Sequence, residues 1–183
     1  MVEQRPVKQK GARRLTQTAI MVALATVLHV IEALIPVPYV VPGAKLGLAN
    51  IVALYAVMTM GIGQSMAISF LRTLLGSLLS GTFLNTGYYL STAGALSSTL
   101  VMYGFSRVFR GHLSIVGVSV AGAVTHNVAQ LLVASLLLRQ IGIMFYLPYL
   151  LFFSIPTGIF VGLLAGRIVS FTERTIENHR RRC

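Results

Sequence analysis

The chain has 183 residues, of which 55% are hydrophobic and only 10% charged, with a formal net charge of +11. A soluble domain this small leaves much of its surface exposed and cannot hide so much apolar area, whereas in lipid that area needs no hiding. The composition excludes a water-soluble domain, and the placement of positive charge in the tails and one loop argues against a nucleic-acid surface.

A spanning helix needs roughly 20 mostly apolar residues, and the sequence divides into about six such runs, so the fold expected is an all-α integral membrane protein. A basic cytoplasmic tail, 1–14, precedes the membrane domain at 15–170, and a second basic cytoplasmic tail follows at 171–183. Span 1 covers about 15–35 and ends at the breaker Pro36-Val37-Pro38. Its Ala23-Leu24-Ala25 faintly resembles a signal-peptide cleavage site, but the run stays apolar beyond it and reads as a retained span.

A loop follows to Lys45, with Pro42-Gly43 as its turn signal. Span 2 is short, from about Leu46 to Met60, and Gly61-Ile62-Gly63 turns tightly into span 3, which ends near Ser80-Gly81. After the loop Gly81 to Gly87, span 4 runs from Tyr88 to about Phe105. The basic loop Arg107 to His112 leads to span 5, about Leu113 to Leu138. A short connection at Arg139-Gln140 precedes span 6, about Ile143 to Val169, where Pro156 removes a helix hydrogen bond and predicts a kink.

Lysines and arginines set the orientation. With the N-terminus inside, the inner side holds Arg5, Lys8, Lys10, Arg13, Arg14, Arg107, Arg110, Arg167, Arg174 and Arg180 to Arg182. The outer side holds only Lys45 and Arg139, with Arg72 inside span 3, so both ends are placed in the cytoplasm. A multi-pass protein of the cell (plasma) membrane, in contact with membrane lipid, is the expected setting. The single cysteine, Cys183, excludes an internal disulfide.

Ionisable side chains inside spans are expensive and mark pathways or sites. Span 1 carries His29 and Glu32, three apart and on one face. Span 3 carries Arg72, and span 5 carries His126, Asn127 and Gln130, with His126 and Gln130 sharing a face. Asn50 opens span 2 on the outer side beside Lys45, and Gly47 leaves the first amides of that helix accessible to an anion. One polar cavity open to the exterior would collect these groups and suit an anionic or phosphate-bearing small molecule. A structural Glu32–Arg72 ion pair and plain interhelical hydrogen bonding by His126 and Asn127 are the alternatives. A metal site of His29, Glu32 and His126 is only weakly supported by spacing, so no metal and no cofactor is expected.

Small residues recur where helices would touch: Ala19 and Ala23 on span 1, and Ser91, Gly94, Ala95 and Ser98 on span 4. No Gly-x-x-x-x-Gly-Lys-Ser/Thr phosphate loop, His-Glu-x-x-His or Gly-x-Ser-x-Gly occurs. Aspartate is absent, the four acids being Glu3, Glu32, Glu173 and Glu177, so aspartate-held magnesium on a diphosphate is unavailable. No catalytic constellation is expected.

Three segments carry a family resemblance: Pro42 to Ile51; Arg72 with Gly76 to Asn85; and His126-Asn127 followed by Gln130. They resemble the Gx transporter family, also called heptaprenyl diphosphate synthase component I, over roughly 13–170. That family is similar to the substrate-binding S components of energy-coupling factor (ECF) transporters. The resemblance implies six spans and an outward-facing pocket gated by loops 1–2 and 3–4. It implies a transmembrane T subunit and two cytoplasmic ATPases as partners, with Ala19 and Ala23 matching the Ala-x-x-x-Ala surface that docks the T subunit.

On this reading the pocket is lined by Glu32, Lys45, Asn50, Arg72, Asn85, His126, Asn127 and Gln130. Prenyl diphosphate synthases resemble one another in aspartate-rich motifs, so the synthase name is expected to denote at most a non-catalytic membrane partner. A solitary ion-coupled transporter, with His29 and Glu32 as relay, is the third alternative.

Overall fold

The computed structural model describes residues 5–34, 47–109 and 113–182. Six α-helices account for most of them: α1 (Arg5–Leu34), α2 (Leu48–Thr59), α3 (Ile62–Leu79), α4 (Thr86–Val108), α5 (Ile115–Leu138) and α6 (Leu147–Arg182). A 3-10 segment, Ile141–Tyr146, joins α5 to α6. Among the described residues there is no strand.

Most packed helix pairs are chain neighbours or next neighbours, and α2 also packs on α6. α4 lies between α3 and α5, α6 lies against α5 and α2, and α1 lies against α3 and α2. Paired positions fix the directions. Thr18 meets Gln64 and His29 meets Gly76, so α1 and α3 run parallel. Ser69 meets Thr99 and Thr73 meets Thr92, so α3 and α4 are antiparallel. Gly94 meets His126 while Gly122 meets Met102, and Gly158 meets Val120 while Gly162 meets Val116, so α4, α5 and α6 alternate. The start of α1 and the end of α6 therefore lie at the same end of the bundle, as the charge distribution requires.

Four helical stretches are long and apolar enough to cross a membrane: Gly11–Glu32, Ile62–Leu79, Ile115–Leu138 and Ile141–Thr175. The outward side chains are those a bilayer would solvate, among them Leu24, Val27, Leu75, Leu132, Phe152, Phe160 and Leu163, all well exposed. Apolar exposure on that scale is not sustained in water. This is a multi-pass membrane protein.

The other two helices depart from the simple pattern for identifiable reasons. α2 has 12 residues, about 18 Å at 1.5 Å per residue, short of the roughly 30 Å hydrocarbon layer. It is wrapped by protein, with Ala49, Val52, Ala53, Leu54, Ala56 and Val57 buried. α4 is long enough but carries Ser91, Ser98 and Thr99 buried against its neighbours. Its polarity faces protein: Ser69 Oγ and Thr99 Oγ1 are 2.6 Å apart across the α3–α4 seam. Small hydroxyl residues at such seams let helices approach closely.

Both basic tails are continuous with helices, since α1 begins at Arg5 and α6 reaches Arg182. Lys, Arg, Gln and Glu are good helix formers, so the helices continue past their apolar runs. Pro156 lies inside α6, which continues on both sides of it. The sixth span, expected to start at Ile143, instead begins as α6 at Leu147, after the 3-10 segment. Pro148 then falls in the first turn, where a missing amide hydrogen does no harm.

Candidate functional site

Five of the expected pocket residues converge from four helices onto one buried polar cavity: Glu32 from α1, Asn50 from α2, Arg72 from α3, and His126 with Asn127 from α5. His29, Gly47, Thr73, Ser91, Ser119 and Thr157 complete its polar lining, and Met102, Ala123 and Val161 close it on the apolar side. Its volume is about 40 Å³.

Arg72 is the centre of this arrangement. It is 2% exposed and comes from the middle of α3. Its Nη2 donates to Asn50 Oδ1 at 2.8 Å. Its Nε is buried and has no hydrogen-bond partner among the described residues. A guanidinium has five donors in a fixed fork, and a buried charge is tolerated only when its field and donors are met.

Glu32 does not hydrogen-bond Arg72. Its carboxylate accepts the backbone amide of Gly47, the residue that opens α2. Gly47 has φ of 76°, the left-handed region, so its amide can turn toward α1 at a position unfavourable for side-chain-bearing residues. A helix N-terminus is favourable for a carboxylate. The anion position expected for a ligand at this helix end is thus occupied by the protein's own Glu32. Its charge still lines the same cavity as Arg72.

The histidines are seated by glycines on facing helices. A Cβ on Gly76 would stand 2.5 Å from His29 Cδ2, and one on Gly94 would stand 2.9 Å from His126 Cε1. Asn127 serves two purposes, lining the cavity while its Nδ2 donates to Ser154 Oγ of α6 at 3.0 Å. Thr73 is tied to α4 by the Thr92 hydroxyl at 3.1 Å. His29, Glu32 and His126 line one cavity, yet among the described residues no three His, Cys, Asp or Glu side chains are grouped to hold a metal ion.

Other expected residues lie elsewhere. Gln130, 5% exposed, lines a second and larger chamber of about 370 Å³ between α4, α5, the 3-10 segment and α6. Asn85 is exposed in the loop before α4, where its backbone carbonyl accepts the Tyr88 amide at 2.9 Å, and it lines neither cavity. α3 closes ahead of it at Gly81, whose φ is 66°, with Thr82 N donating to Ser77 O and Gly81 N to Leu78 O. Lys45 lies outside the described residues, as does most of the 1–2 loop.

Ser119, Thr73 and Thr157 were not picked out by the sequence reading, and Ser91 was named only as a small residue of a helix contact. One signal was available: Ser119, Ala123 and His126 are spaced i, i+4, i+7, one stripe of α5. Ala19 and Ala23 are both exposed on α1, on a surface that also presents Ile20 and Leu24.

A bundle of six helices closed around a buried arginine and a polar cavity defines a multi-pass membrane protein with an internal polar site. The chain belongs to the heptaprenyl diphosphate synthase component I family, whose model matches residues 21–168. Its fold is similar to that of the S component of a bacterial ECF transporter, with a TM-score of 0.55 and 19% sequence identity. That likeness covers 92% of this chain and 98% of the other. Among curated proteins none matches the sequence.

Proposed function

We propose that the protein is the substrate-binding membrane subunit, or S component, of an ECF-type importer in the cell membrane, and that it binds a small molecule at Arg72. The observation that carries this reading is the buried guanidinium whose Nε has no partner among the described residues, set in a cavity walled by polar side chains from six helices. A charge placed in a bundle at such expense is a site by default. The shared fold with an S component supports the same reading.

In this function Arg72 holds negative charge on the ligand, and Asn50, His126 and Asn127 orient it. Lys45 and Asn85 sit on the two outer connections, which close over the loaded cavity. The Ala19/Ala23 face of α1 docks a T subunit, and two cytoplasmic ATPases supply energy that this chain has no phosphate loop to generate. An anionic, isoprenoid- or quinone-related, or vitamin-like molecule is the substrate class.

The family's name favours a second reading, a membrane partner of a prenyl diphosphate synthase. With no aspartate in the chain the partner role is non-catalytic. Affinity purification from the native host separates the two. The S-component reading expects a T subunit and two ATPases to co-purify; recovery of a soluble aspartate-rich synthase in their place would favour the second.

A further inference from the structure

We infer that the ligand is an amphipathic oxyanion, its charged head at Arg72 in the polar cavity and its apolar body in the second chamber beneath the 3-10 segment. This rests on the ligand-binding reading above and names the substrate class.

The two chambers are neighbours. Ser91 of α4 lines both. On α5, His126 lines the polar cavity and Gln130, one turn later, lines the apolar chamber. Both side chains lie over Gly94, since a Cβ there would stand 2.9 Å from His126 Cε1 and from Gln130 Cγ. The two α5 side chains that face the chambers are therefore both packed against a glycine. Displacement of these two side chains joins the chambers without moving a helix.

The cavity at Arg72 lacks the volume of a small-molecule site, and the second chamber has the volume but no charged group in its lining. Such sites are mostly apolar, roughly 300–1,000 Å³, with a few placed polar groups. The cavity at Arg72 is polar but only about 40 Å³. The second chamber is about 370 Å³ and is walled chiefly by Leu90, Leu131, Ala134, Leu138, Ile143 and Leu150. At about 30 Å³ per water-sized group it holds roughly a dozen such groups. Joined, they form one site with a polar end and an apolar end.

The sign of the head group follows from the partners already present. The Glu32 carboxylate is engaged by the Gly47 amide, whereas Arg72 Nε has no acceptor among the described residues. A carboxylate or phosphate satisfies both the charge and the planar donor fork. The 3-10 segment covers the apolar end through Ile143 and Tyr146, and Ile143, Met144 and Leu147 pack on Leu131 and Leu150.

Native mass spectrometry of the full chain in lipid nanodiscs tests this, using an equimolar mixture of n-alkyl phosphates and n-alkyl carboxylates of about four to about sixteen carbons, a range that brackets the chamber's capacity. Wild type is expected to bind members near the middle of the range, and Arg72→Gln to lose them all. Ala134→Phe narrows the chamber and should move the bound distribution toward shorter chains. Each methylene is worth about fourfold, so displacing about two lowers long-chain occupancy more than tenfold relative to short-chain occupancy. Leu90→Ala enlarges the chamber, should move the distribution toward longer chains, and keeps the test decisive if the phenylalanine variant fails to fold.

An unchanged chain-length distribution in these variants would overturn the inference. So would long-chain binding that survives Arg72→Gln, which would assign the chamber to a membrane lipid tail. If no member binds but another small molecule is retained, the inference fails and the binding-subunit reading stands. If wild type retains nothing at all, both fail.

Discussion

Arg72 in the middle of α3 donates its Nη2 to Asn50 Oδ1 at the start of α2, at 2.8 Å, and this bond fixes the guanidinium across the cavity. Leucine at position 50 keeps the volume but removes the acceptor, leaving a second buried donor of Arg72 unmet. An unsatisfied buried group costs about 1–3 kcal/mol, more for a charged one. Asn50→Leu should therefore lower unfolding stability in detergent by at least that much, and Asn50→Asp, which restores an acceptor, should recover most of it. Equal stability of the leucine variant and wild type would show that the bond does not hold Arg72.

Glu32 ties the end of α1 to the start of α2 through the Gly47 amide. Glu32→Gln retains an acceptor oxygen, whereas Glu32→Ala leaves the amide unmet at about 1–3 kcal/mol. Thermal unfolding in detergent should rank wild type, then glutamine, then alanine. A glutamine variant as unstable as alanine would mean that charge across to Arg72, and not the amide bond, is what Glu32 supplies.

Two glycines of α6 let the backbone of α5 come close. A Cβ on Gly158 would stand 2.8 Å from Val120 Cα, and one on Gly162 would stand 2.7 Å from Val116 Cα. These obstacles are backbone and cannot swing away, unlike the side chains over Gly94. Gly158→Ala and Gly162→Ala should each destabilise by about 1–3 kcal/mol through overpacking. Gly94→Ala should cost less stability but more ligand affinity, because it displaces His126 and Gln130. Chemical denaturation and ligand retention measured on the three variants check the ordering.

Much of the bundle was legible from hydropathy and charge. Apolar runs located all six helices, Gly61 marked the α2–α3 turn, and the arginine asymmetry matched the up-down order that the pairings show. The 3-10 segment was not legible, because Ile141 to Tyr146 is as apolar as the helix it precedes and periodicity cannot separate the two. The Gly158–Gly162 seam was readable as a small-xxx-small pair and was passed over in favour of those on spans 1 and 4. The lining of the polar cavity was legible where a residue is costly in lipid: Arg72, Glu32, His126, Asn50 and Asn127 declare themselves, while Thr73, Ser91, Ser119 and Thr157 are ordinary in any membrane helix. Gln130, one turn beyond His126 on α5, lines the second chamber, and Asn85 stands exposed in the loop before α4.

Ala19 and Ala23 are exposed one turn apart on α1. If this face docks a T subunit, Ala19→Leu/Ala23→Leu should abolish co-purification of that subunit while leaving fold and retained ligand unchanged. A complex that survives both leucines would place the docking surface on another helix.

The most direct test of the central claim is native mass spectrometry of the protein purified gently from its own host, wild type beside Arg72→Ala. The account predicts a small molecule bound to wild type and missing from Arg72→Ala, with the variant still monodisperse and cooperatively folded. A folded Arg72→Ala protein that carries the same molecule at the same occupancy would contradict it.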